Sequence, residues 1–103
     1  MTSPYEEAHR RSLEDPEGFW GEAAESIHWF RRWDRVLDDS KAPFYRWFPG
    51  GEVNTCYNAV DRHADNGRGD QPALIYDSPV TGTVRSYTYS ELRDEAARCA
   101  GML

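Results

Sequence analysis

Lysine is almost missing from this chain: Lys41 is the only one among 103 residues, against 11 arginines. That imbalance is a habit of composition and marks no site. Aliphatic bulk is scarce as well. Leucine, isoleucine, valine and phenylalanine number 16 in all, short of the roughly 20% associated with chains that order themselves. No apolar run approaches the roughly 20 residues that a membrane-spanning helix needs. Basic surplus is absent too, since the net charge is −6, which disfavours nucleic acid and anionic membrane surfaces as partners. Residues Met1 to Glu7 carry neither the basic flank nor the apolar core of a secretory signal, so a cytoplasmic location is expected. Cys56 and Cys99 are the only thiols. With no C-x-x-C and no histidine at ligand spacing, they argue against a disulfide framework or a zinc site. Two buried or partly buried thiols are expected instead.

Aromatics are plentiful: 14 residues, among them Trp20, Trp29, Trp33 and Trp47. Disordered chains are poor in aromatics, and aromatic rings bury large areas only where there is a surface to pack on. A chain of this size buries about two thirds of its unfolded surface even when compact. Rich in aromatics and poor in aliphatics, it reads as a layer that packs onto something larger.

Local signals divide the chain. Ser3, Pro4 and Glu6 make a capping box with proline at the first helical position, predicting a helix to about Leu13. Asp15-Pro16 repeats the device, and Phe19, Trp20, Ala23, Ala24 and Ile27 recur at helical spacing behind it. From His28 to Asp39 a period near four persists through Trp29, Trp33 and Val36, without a cap. Residues 40–53 hold Pro43, Pro49, Gly50 and Gly51 around four aromatics at 44–48, a loop expected to be pinned against a core. Asn54 is placed to cap a third helix with Tyr57, Ala59, Val60 and Ala64 on its apolar side. Residues 66–70 form a turn-rich break. Ala73–Tyr76 and Val84–Tyr87 then read as strands of a β-hairpin turning at 77–82. Thr88 and Glu91 form a second capping box, and Leu92, Ala96, Cys99, Ala100 and Leu103 line one face of the helix it opens. The stop on that apolar face suggests a truncated chain.

Motifs of catalysis are missing: no phosphate-binding G-x-x-x-x-G-K-[ST], no G-x-G-x-x-G, no G-x-S-x-G. Gly50-Gly51 and Thr81-Gly82-Thr83 read as turns rather than anion cradles. Asp61, His63 and Asp65 lie close in sequence, but on a helix only the two aspartates share a face. Arg10-Arg11 and Arg31-Arg32 sit beside Glu6, Glu7 and Asp34 and read as salt-bridged faces. The Arg68-Gly69-Asp70 tripeptide is coincidence. No catalytic, cofactor-binding or metal-ligating residue is assigned.

The runs Trp29–Asp38, Phe44–Gly51 and Asn54–His63 resemble the amino-terminal region of AMP-forming short-chain acyl-CoA synthetases, the acetyl- and propionyl-CoA synthetases. Pro16 to Trp20 is similar to their opening helix. Pro72–Asp77 and Arg85–Leu92 resemble the start of the large domain of adenylate-forming enzymes. The resemblance implies an α+β fragment: amino-terminal helices and an aromatic loop, then a β-hairpin and helix that begin that large domain. Residues 1–66 would be the amino-terminal extension and 67–103 the start of the AMP-binding domain. It further implies a ligase for short carboxylates that uses ATP, Mg and CoA, with every catalytic element beyond Leu103, so the fragment alone would be inactive and bind no cofactor. Lys41 does not match the context of the family's catalytic lysine. Asp77–Thr83 looks closer to the propionyl enzymes, whereas Arg31-Arg32 departs from the family's usual pattern. The implied partner is the rest of the same large domain, with Trp29, Trp33, Trp47 and Phe48 as buried anchors. Competing readings are a self-standing interaction module using loop 44–48, and self-association of the fragment.

Overall fold

The structure is a computed structural model describing residues 1–103. It divides into two compact units, Met1–Val53 and Asn54–Leu103.

The first unit opens on two helices joined by one shared residue. In α1 (Pro4–Glu14), the Ser3 hydroxyl accepts from the Glu6 amide while the Ser3 amide donates to the Glu6 carboxylate at 2.7 Å, the capping box read in the sequence. Asp15 ends α1 by donating its amide to the Arg11 carbonyl at 3.0 Å and starts α2 (Pro16–Ala24) by accepting from the Gly18 amide. A side chain at Gly18 would strike the Asp15 carboxylate, so glycine there keeps the cap intact. Arg11 ties the helices together through Glu22 at 2.6 Å and lies over the Phe19 ring.

Beyond α2 no further helix forms, although the tryptophan spacing suited one. The backbone of 30–38 pairs instead with that of 46–52. The Arg31 amide and carbonyl bond to Glu52, Asp34 donates to Pro49 at 3.0 Å, and Phe48 donates to Val36 at 2.8 Å. Two short antiparallel strands, β1 (Leu37–Asp38) and β2 (Arg46–Trp47), complete the ladder. Residues 40–45 link the two strands as turns.

In the second unit the Asn54 side chain accepts from the Tyr57 amide at 2.9 Å, as a cap should. The helical stretch behind it is wider than a regular α-helix, with π-type turns at Tyr57–Asp61 and Ala64–Arg68. It breaks at Asn66 and at Gly67, whose φ of +87° favours glycine. Strands β3 (Pro72–Ser78) and β4 (Thr83–Thr88) form the hairpin, longer than the sequence suggested, with a bulge between Pro72 and Leu74 and Gly82 at positive φ beside the tip. The Thr88–Glu91 capping box opens α3 (Tyr89–Gly101). Leu92 and Ala96 are half-buried, whereas Cys99, Ala100 and Leu103, expected on the same apolar face, are exposed. The small α+β architecture agrees with the sequence. By compactness the chain parts at Val53/Asn54, because the helical stretch at 55–68 packs on α3; the division at 66/67 rests on the turn-rich break and on resemblance.

A core is nearly absent. Ala24, 7% exposed, is the one buried residue. The chain exposes 8007 Å², where a compact protein of 11.9 kDa would expose about 5,900 Å² and two separate halves of that mass about 7,200 Å².

Candidate functional site

The richest chemistry of the first unit is an aromatic cluster built by three local devices. The Trp29 indole N–H donates to the Ala24 carbonyl at 2.9 Å, satisfying one of the carbonyls left over at the end of α2. That bond locks the ring against Trp33 and Phe48, with centroids at 4.9 Å and 5.4 Å and tilted or edge-on geometry. Phe48 reaches the cluster with φ +50°, a left-handed conformation held by its amide bond to Val36. Gly50 turns the chain at φ +80°, and a Cβ at Gly51 would lie 2.7 Å from the Trp29 ring. Trp47-Phe48-Pro49-Gly50-Gly51 is therefore a packing motif: one ring inserted, one carbonyl for Asp34, and one bare backbone against an indole.

Trp20, Ala23, Ala24, Ile27, Trp29 and Phe48 line an apolar groove of about 340 Å³. Trp47 stands at its margin, 6.5 Å from Trp20. On the cluster's other side the Arg32 guanidinium covers Trp33 at 4.3 Å while pairing with Glu25. Hydrogen bonding to Arg32 holds the Glu25 carboxyl below its ordinary range and raises Arg32. Asp38 is also held low, first by the Ser40 hydroxyl, then by the Ser40 amide, with Arg35 and Arg46 adding to it.

Of the expected anchors, Trp29, Trp33 and Phe48 gather. Trp47, at 47% exposed, is not buried within this chain, and the loop is not pinned along its length, since Phe44 is 79% exposed. Gly50-Gly51 and Thr81-Gly82-Thr83 both serve turns: Gly51 donates to the Phe48 carbonyl, and Thr81 to the Ser78 hydroxyl. Asp65 pairs with Arg93 at 3.2 Å and His63 packs on Tyr89 at 5.2 Å, so the cluster read at 61–65 is divided among structural contacts. Arg10 bridges Glu7 and Glu14, and Arg31 faces Asp34 at 3.8 Å, the salt-bridged faces foreseen. The cysteines are a correction: both are free and exposed, Cys99 because nothing in this chain covers the end of the α3 face it shares with Leu92 and Ala96. Sequence reasoning missed the bond from Trp29 to Ala24, for which a tryptophan five residues past a helix end is a faint signal.

The family description of the acetyl-coenzyme A synthetase N-terminus matches residues 5–59. Human acyl-CoA synthetase short-chain family member 3, mitochondrial, is 48% identical over 101 residues, covering 98% of this chain and 15% of the relative. Acetyl-coenzyme A synthetase of Deinococcus radiodurans is 46% identical over 99 residues, 96% of this chain and again 15% of the relative. The protein of that name from Rubrobacter xylanophilus shares 46% over 99 residues. These matches define a class, the acyl- and acetyl-CoA synthetases, which are ligases. This chain belongs to the acetyl-CoA synthetase amino-terminal family, and it spans about 15% of the length of the relatives it matches. None of its helices is long and apolar enough to cross a membrane.

Proposed function

We propose that this chain is the amino-terminal structural part of an AMP-forming short-chain acyl-CoA synthetase and is inactive alone. The parent would convert a short carboxylate and ATP, with Mg, into an acyl-adenylate and pyrophosphate. CoA would then displace AMP to form the thioester. The observation that supports this best is the aromatic groove of the first unit, open in a chain that buries a single residue. Its cover would be the remainder of the same large domain. Propionate is favoured over acetate on the strength of Asp77–Thr83, and a cytoplasmic location goes with that reading, against a human relative named as mitochondrial.

Purified 1–103 and the full product of its gene, each given ATP, Mg and CoA with acetate or propionate, test this through AMP release. Turnover confined to the long protein is the expected result, with propionate the better acid. A long protein that folds but turns over neither acid overturns the ligase assignment. Exposure of Phe44 and Tyr45 favours a second reading, an interaction module using loop 44–48. The coding sequence after Leu103 separates the two: a Ser/Thr/Gly-rich loop with a lysine further on supports the ligase, and an immediate stop supports the module.

A further inference from the structure

The break between the helical stretch and the hairpin holds the chain's single Asn-Gly pair, Asn66-Gly67. Both residues are exposed. Asn66, at φ −91° and ψ 22°, lies outside helical geometry, and Gly67 sits at φ +87°. Nothing lies within 4 Å of the position a Cβ would take at Gly67, so no side chain from elsewhere packs over the α-carbon side of the turn. Asparagine is among the thermolabile residues. Its side-chain carbonyl carbon can be attacked by the amide nitrogen that follows, and glycine offers the least steric obstruction and the freest backbone for the rotation in ψ that ring closure demands.

We propose that Asn66 is a site of spontaneous succinimide formation and deamidation. The Gly67 nitrogen, after losing its proton to base, forms a bond to Asn66 Cγ. The Cγ–Nδ2 bond breaks and the amide leaves as ammonia. Water then opens either carbonyl of the five-membered ring, giving aspartate or isoaspartate, with no change of oxidation state. Either product adds one negative charge to a chain already at −6. Isoaspartate also inserts a methylene into the main chain where Gln71 bonds to Arg68 and Ser90 to Gly69, shifting the join of the helical stretch to α3. Asn54 and Asn58 are internal controls. Thr55 and Ala59 follow them, the Asn54 side chain accepts from Tyr57, and the Asn58 amide donates to the Asn54 carbonyl.

Storage of the folded chain at neutral and at mildly alkaline pH, followed by peptide mapping with mass spectrometry, reads this directly. The Asn66 peptide should become acidic in two chromatographic forms, faster at the higher pH, while Asn54 and Asn58 stay amides. Asn66→Gln should abolish the conversion, and Gly67→Ala should remove most of it. Hydroxylamine, which cleaves the cyclic imide, should cut unmodified wild-type chain between residues 66 and 67, a readout that needs no variant to fold. An Asn66 that persists as amide, conversion at Asn54 or Asn58 at an equal rate, or no hydroxylamine cut at 66/67 overturns the proposal.

Discussion

Trp29 carries more of the first unit than any other side chain: it closes α2 through Ala24, packs at an angle on Trp33 and Phe48, and forces glycine at position 51. Trp29→Ala is expected to destabilise the chain by about 3 kcal/mol, the low end for aromatic truncation because the ring is only half-buried. Trp47→Ala should cost less, as that ring stands at the groove's margin. Denaturant midpoints followed by circular dichroism compare the two, and an equal or reversed order would refute the packing described. Acid sensitivity also belongs to single residues. Glu25 and Asp38 are both held low when folded, so their stabilisation is complete above the ordinary carboxylate range and is lost as pH falls through the depressed folded values. Melting temperatures should therefore stay level, as far as these two groups go, between neutral pH and about pH 5 and should fall on further acidification. Glu25→Gln should flatten that fall, and added salt should shrink the difference because the Arg32 pair is exposed. An acid profile unchanged by Glu25→Gln at low salt would remove the pair from the account.

At the scale of elements, the helices begin where their caps say. Ser3, Asp15, Asn54 and Thr88 each hold the amide that the sequence pattern assigned to them. Thr88→Ala should destabilise the second unit by about 1 kcal/mol. Hydrogen exchange should quicken in the first turn of α3 while α1 and α2 keep their protection. Uniform loss in both units would argue against a local cap effect. Segment 28–39 shows where local reading fails. Trp29 and Trp33 repeat at helical distance, yet the backbone of their neighbours Phe30, Arg31, Asp34 and Val36 bonds to Phe48, Pro49 and Glu52, far along the sequence. A period in side chains cannot report which distant carbonyl an amide will meet. The π-type turns at 57–68 were equally hidden, since their composition is that of an ordinary helix.

Viewed whole, the molecule has rings in excess of places to put them. Ile75 and Val84, 71% and 70% exposed, share one face of the hairpin, and Leu74 and Tyr76 lie on the other. A strand pair apolar on both faces suits the interior of a larger sheet. The aromatic groove of the first unit is likewise open. Isolated chain is accordingly expected to self-associate as its concentration rises, with a molar mass above 11.9 kDa that relaxes on dilution. Light scattering across a dilution series measures it. A monomer mass at every concentration would mean the apolar surface is tolerated in water.

The sequence alone determined the helix starts, the glycine turns, the hairpin and the family, because each is written in neighbours a few residues apart or in an unbroken motif. Only the tertiary structure decided that Trp29, Trp33 and Phe48 meet while Phe44 and Trp47 remain open, that both cysteines are exposed, and that compactness parts the chain at 53/54. Caps and turns are settled by the hydrogen bonds of one short segment. Which ring is covered depends on chain that returns from far away in sequence, and no local pattern encodes that return.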